Sequence, residues 1–343
     1  MGQGPGCDYW IGQNALTLDA ISWKSLFLKE KNHKYPSSKE HLFWRMIKRE
    51  LWFLRNPLGS LMVRSVFASL VLFLLTDAAC AVTIVGYDPA LHDRFASGYP
   101  TTPVVNSSAG FVGAGYDFSG VGWSTTEPQK SITMISDQYF VYSGHNPIGS
   151  EVTFRTAGGS IIPYSVDTSF SFAPTGEVSD ALGDLRIGRL TTTVSPSIAS
   201  YAIFDSSDYA DFEGLSLLVY GHGSGGSPRI GTNISEGVQD VEIDGGLIRK
   251  GLVWDQDALT GEALPESGDS GSPTFAIYNG QLVLLGTHYG VGGTTSVDDL
   301  LALYLESLTA AGIPYSSVPE PGKMAFFLLA FGLIGMRRKR RWS

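Results

Sequence analysis

Gly268-Asp269-Ser270-Gly271-Ser272-Pro273 is the stretch that decides how this chain reads. A small hydroxyl residue stands between glycines, so backbone N–H groups can approach a substrate carbonyl closely. A serine is a weak nucleophile at its free pKa, and such a loop needs a histidine to take its proton and a carboxylate to orient that histidine. Both occur upstream. His145 follows an apolar, strand-like run within residues 138–146, and Asp184 opens the segment Asp184–Leu190.

The order along the chain is His, Asp, Ser, with separations of 184 − 145 = 39 and 270 − 184 = 86 residues. Two other folds that use the same three groups carry them as Ser, Asp, His or as Asp, His, Ser. In these residues the chain resembles the chymotrypsin-like (trypsin-fold) serine proteases, over Val82 to Ser317. The resemblance implies an all-β, two-barrel chymotrypsin-like fold with a C-terminal helix. It places His145 and Asp184 on the first barrel and Ser270 on the second, and makes the N–H groups of Gly268 and Ser270 the oxyanion hole. The implied activity is that of a serine-type endopeptidase working through an acyl-enzyme, without metal or organic cofactor. A catalytically silent, protease-like surface binding module and an esterase-like hydrolase are the alternatives.

Tyr142-Ser143-Gly144-His145-Asn146 stands where that family has Thr-Ala-Ala-His-Cys, and lacks the cysteine. Arg186 occupies a position that is small or apolar in the family, which makes Asp180 the reserve for Asp184. Gly286-Thr287-His288-Tyr289-Gly290 is similar to the Gly-Ile-His-Trp-Gly segment of bacterial glutamyl endopeptidases. That likeness implies a substrate-binding role for His288, Tyr289 and Gly290 and a preference for an acidic side chain before the scissile bond. Pro265, where those enzymes carry a hydroxyl donor, and the nearby Glu266 count against it.

The 343-residue chain carries a net charge of −9, unevenly placed. Between Val82 and Ser317 there are 26 acidic and 8 basic residues, a net of 8 − 26 = −18. Such a body repels nucleic acid, so no nucleic-acid partner is expected; a polypeptide substrate is what the protease resemblance implies. Residues 62–81 read as a secretory signal peptide: Arg64, an apolar run from Val66 to Leu75, then Ala79-Cys80-Ala81. Residues 1–61 then read as an upstream over-extension with no fold assigned. Cys7 and Cys80, the only cysteines, both precede Val82, so no disulfide is expected in the exported body.

At the other end, Val318-Pro319-Glu320-Pro321 precedes the apolar run Met324–Met336 and the basic cluster Arg337–Arg341. This tail, residues 318–343, resembles the PEP-CTERM sorting signal of Gram-negative bacteria. The likeness implies an exosortase-type processing enzyme as partner, transient membrane insertion of the tail, and a periplasmic, cell-surface or extracellular destination.

The body reads as short apolar runs between turn residues, among them Glu151–Arg155, Ser160–Val166, Leu215–Tyr220 and Gly251–Trp254. Asn279-Gly280 between Thr274–Tyr278 and Gln281–Thr287 predicts a type I′ hairpin directly after the serine. Ser296, with Asp298 and Asp299 behind it and apolar residues at helical spacing to Leu308, predicts a capped C-terminal helix. Neither zinc-ligand spacing, a phosphate loop nor an acidic calcium loop occurs.

Overall fold

A computed structural model describes residues 82–175, 184–222, 226–243 and 247–319. The segments 1–61 and 62–81, the sorting tail beyond Pro319 and the reserve Asp180 lie outside the described residues.

The described chain opens with β1 (Thr83–Ile84), a single helical turn α1 (Pro89–His92), β2 (Phe95–Ser97) and β3 (Val104–Val105). Six strands follow: β4 (Val121–Ser124), β5 (Ser131–Met134), β6 (Tyr139–Ser143), β7 (Glu151–Arg155), β8 (Ile161–Ser165) and β9 (Leu185–Arg189). They hydrogen-bond in the order β8-β7-β4-β5-β6-β9. An antiparallel bridge between Val166 and Leu190 joins the two ends, with Asp167 N donating to Arg189 O at 2.8 Å. The sheet is therefore a closed barrel.

The second barrel uses β11 (Glu213–Gly221), β12 (Arg229–Ile243), β13 (Leu247–Asp255), β15 (Pro273–Tyr278), β16 (Gln281–Gly292) and β17 (Thr295–Leu300). Their order is β15-β11-β12-β13-β17-β16, and β15 pairs again with β16 to close the ring. β10 (Ala202–Asp205) adds to β16, and β18 (Ser317–Pro319) to β10, both in parallel; β14 (Ala263–Leu264) pairs with β1. Two antiparallel six-stranded barrels in one chain are the all-β, chymotrypsin-like architecture that the sequence implies.

Alternation along each strand divides its side chains between apolar layers. In β6, Phe140 joins a cluster of the first barrel with Ile132, Met134, Val152 and Phe154, while its neighbour Val141 faces another. In the second barrel Leu217, Val219, Leu252, Trp254, Val283 and Leu285 form a cluster that also takes Val82 and Ile84. The third cluster is shared: Val141, Leu185 and Ile187 meet Leu218, Tyr220, Phe275 and Leu284, under Leu301, Leu305 and Leu308. It is the joint between the barrels. Each fully buried side chain of this size contributes on the order of 1.5–3 kcal/mol.

The predicted hairpin is present: Tyr278 pairs with Gln281, and Asn279 and Gly280 have φ of 51° and 76°, the two positive values a type I′ turn requires. The predicted helix from Ser296 is not. Residues 295–300 form β17, held between β13 and β16, and the helix is shortened to a 3₁₀ turn at Leu301–Tyr304 followed by α2 (Leu305–Ala310). The reason is charge pairing across the barrel. Asp298 and Asp299, expected at a helix N-terminus, are almost fully buried in β17, where Asp298 pairs with His288 of β16 at 2.8 Å and Asp299 with Arg249 of β13. A strand register that pairs two buried carboxylates with cationic partners outweighs local helix propensity.

Burial alone would push the His288 ring toward its neutral form, but the carboxylates of Asp298 and Asp269, with the Tyr220 carbonyl, raise its pKa above the ordinary value. The stabilisation from this pair is complete below about pH 6.5, the unfolded value, and is lost as pH rises through the raised folded value. Asp298→Asn should lower the unfolding free energy by about 3 kcal/mol at pH 6 and flatten this alkaline decline, as urea titrations across pH 6–9 will record.

Candidate active site

His145 and Asp184 come together because β6 and β9 are antiparallel neighbours. Ser143 pairs with Leu185, so the residues just past β6 lie beside those just before β9. Gly144 N extends the ladder by donating to Asp184 O at 2.6 Å. His145 N donates to Asp184 Oδ1, and His145 Nδ1 lies on Oδ2, each at 2.8 Å.

Ser270 is delivered by the second barrel on two successive tight turns. Asp269 N donates to Glu266 O and Ser272 N to Asp269 O, with Gly268 and Gly271 at φ of 104° and 86° in the third position of each turn, as in type II turns. Gly271 N donates to His288 O at 3.0 Å and His288 N to Ser272 O at 2.9 Å, which pins the loop to β16. Ser270 Oγ then stands 2.7 Å from His145 Nε2, across the joint between the barrels.

The electrostatics suit proton transfer. Asp184 is only 8% exposed; burial pushes its carboxyl up, yet hydrogen bonds from His145 and Ser143 outweigh that and hold it below the ordinary value, so it is ionised at neutral pH. The His145 side chain is half exposed, open to an incoming ligand. The N–H groups of Gly268 and Ser270 donate to no acceptor among the described residues, which leaves both free for a ligand oxygen. With Nδ1 donating to Asp184, Nε2 can receive the Ser270 proton while Oγ attacks an electrophilic carbonyl, the chemistry of acyl transfer.

His288 does not take the substrate-facing position expected of it. It is 2% exposed, and both ring nitrogens are engaged, Nδ1 with Asp298 and Nε2 with Tyr220 O, each at 2.8 Å. No N–H is left for a substrate carboxylate. Tyr289 does reach the site, with its ring edge-on to His145 at 6.3 Å, and Gly290 beside it is half-buried.

Two contributors escaped the sequence reading. Ser143 Oγ donates to Asp184 Oδ2, and Asn146 Nδ2 donates to Ser270 O at 3.2 Å. The available signal was the substitution of polar residues around the histidine, read as a strand end and a missing cysteine.

No family model matches the chain, and no match to a curated protein is found. Among solved structures, the chain is similar to the NS6 protease of murine norovirus 1, 18% identical with a TM-score of 0.35, over 53% of this chain and 89% of that one. It is similar to human heparin binding protein at 12% identity and a TM-score of 0.42, over 59% and 95% of the two chains. The inactive form of the Rv3671c protease gives 20% identity and a TM-score of 0.38, over 56% and 87%. The chymotrypsin-like class stated above rests on the barrel topology of the chain itself.

A Cβ on residue 271 would approach Ser143 N to 2.9 Å, at a φ that side chains rarely adopt. Gly271→Ala should therefore cost about 1–3 kcal/mol in stability and withdraw Ser270 from His145, checked by urea unfolding together with a crystal structure of the variant.

Proposed function

We propose that the protein is an exported serine endopeptidase. The observation that carries the reading is the unbroken chain from Ser270 Oγ through His145 to the buried Asp184, with contacts of 2.7 and 2.8 Å. In this mechanism Ser270 attacks the peptide carbonyl as His145 Nε2 takes its proton. Asp184 holds the imidazole in the Nδ1–H tautomer and stabilises the imidazolium. The N–H groups of Gly268 and Ser270 then bind the oxyanion, each donor contributing about 3–4 kcal/mol in sites of this kind. His145 returns the proton to the leaving amine, and water releases the acyl-enzyme by the same path.

A peptide substrate is favoured over a simple ester by an open strand edge. The pairing of β15 with β16 ends at Pro273 and Thr287, so the stretch of β16 from Tyr289 onward has no strand partner among the described residues on the side nearest Ser270. An extended polypeptide can add there as a further strand. The buried, doubly bonded His288 gives no support to an acidic preference. Export to the periplasm, the cell surface or the medium is read from the sequence of residues 62–81 and 318–343, with an exosortase-type enzyme as the processing partner.

A fluorophosphonate probe should label wild-type protein at Ser270, and hydrolysis of a mixed peptide library should follow. Ser270→Ala should abolish labelling and lower kcat by about 10⁴- to 10⁶-fold without loss of stability. A folded wild-type protein that takes no label would instead be a silent binding module.

A further inference from the structure

Ser143 precedes His145 by two residues and is 1% exposed at the end of β6. Its hydroxyl touches two members of the triad at once. Oγ donates to Asp184 Oδ2 and lies 3.0 Å from His145 Nδ1, while the same Oδ2 lies 2.8 Å from Nδ1. Three polar atoms thus form a triangle, and the placement of their hydrogens is constrained. The carboxylate can only accept, and the hydroxyl has one hydrogen, directed at the carboxylate. Nδ1 must therefore carry its proton, facing two acceptors, the carboxylate and the lone pair of Ser143 Oγ.

We propose that Ser143 is a positioning residue of this site: its hydroxyl fixes the rotamer and ionisation of Asp184 and, by accepting from Nδ1–H, holds His145 in the tautomer that leaves Nε2 free to take the Ser270 proton. The inference rests on the endopeptidase reading for its catalytic consequence but not for its geometry. Four further contacts make the arrangement rigid. Ser143 is held in the β6–β9 ladder opposite Leu185, and the backbone of Gly271 packs against it so closely that a Cβ there would come within 3.2 Å of the Ser143 Cβ. On the other side of His145, Asn146 ties the carbonyl of Ser270 at 3.2 Å, and His145 N is tied to Asp184 Oδ1. Nucleophile, base and carboxylate are thus all braced by one tetrapeptide, Ser143 to Asn146.

The depressed Asp184 pKa follows from the same donors. Without the Ser143 hydroxyl the carboxylate keeps its burial but loses a hydrogen bond that favours the charged form, so its pKa must rise. Protonated Asp184 cannot stabilise the imidazolium, and a second proton then enters the low-pH loss of activity.

The test compares the wild type with Ser143→Ala and Ser143→Thr in the full-length protein. Two NMR readouts need no turnover: the pH titration of the Asp184 carboxyl carbon and the low-field resonance of the His145 Nδ1 proton. In Ser143→Ala the carboxyl should titrate at higher pH and the Nδ1 resonance should shift upfield and broaden, with a lowered melting temperature but a single cooperative unfolding transition. In assays, kcat should fall by about tenfold at constant KM, the magnitude of one hydrogen bond to a charged group, and the low-pH limb should steepen from one proton to two. Ser143→Thr keeps the hydroxyl and should restore the resonance and the single-proton limb. Unmoved resonances in a Ser143→Ala enzyme that labels and turns over like wild type would overturn the role of Ser143 and leave the endopeptidase reading intact. Shifted resonances in a protein that takes no label at Ser270 would do the reverse.

Discussion

The apolar joint between the two barrels is the constraint on which everything else depends. Neither barrel owns the whole cluster: the first carries a histidine and its carboxylate, the second a serine hydroxyl on a turn. What brings them to hydrogen-bonding distance is the packing of Val141, Leu185 and Ile187 against Tyr220, Phe275 and Leu284. This layer begins directly under the site, since Leu185 adjoins Asp184 in sequence. Tyr220 of β11 ties the layer to both barrels: its hydroxyl accepts a hydrogen bond from Arg94, which also donates to Val121 O of β4, and its carbonyl accepts one from His288 of β16. Close packing of this kind transmits displacement rather than absorbing it, so the site is as well defined as the joint.

The second barrel is the more unusual of the two, because it buries charge close to its nucleophile loop. Asp269, Asp298, Asp299, Arg249 and His288 are all at most 2% exposed. Asp269 accepts from the amides of His222 and Glu266, while His288 joins β16 to β17 through Asp298 and to β11 through the Tyr220 carbonyl. A buried ion pair adds little net stability over a well-packed apolar pair, but it penalises every alternative register, because a slip by one residue would leave a carboxylate buried and unpaired. That penalty falls on the strand whose neighbour carries Tyr289 and the open edge.

Much of this was legible from residues alone. The strand runs and the Asn279-Gly280 turn each have a local chemical signature and are found where it places them, and the three residues picked out by chain order and spacing, His145, Asp184 and Ser270, lie within hydrogen-bonding distance of one another in series. Where local signature and tertiary partner disagree, the sequence misleads. Asp298 and Asp299 look like the acidic first turn of a helix because their partners, His288 and Arg249, are distant in the chain. His288 looks like a substrate ligand because its motif says nothing of the Tyr220 carbonyl that occupies its second nitrogen. Ser143 and Asn146 were passed over because a serine and an asparagine at a strand end are ordinary; only the register of β6 against β9 aims the serine at a carboxylate, and only the meeting of the barrels aims the asparagine at Ser270.

The Asn146 amide sits where the family that the sequence resembles places a cysteine, and the body between Val82 and Ser317 contains no cysteine. Base loop and nucleophile loop are thus tied by a reversible contact of 3.2 Å rather than by covalent bonds. Reductants leave such a molecule untouched, so its working life is indifferent to the thiol balance of its surroundings. Strain is a different matter. With no covalent strap across the cleft, the contact between Ser270 and His145 acts as a calliper on the seam, and a parting of about 1 Å, far short of unfolding, would carry its 2.7 Å beyond hydrogen-bonding range.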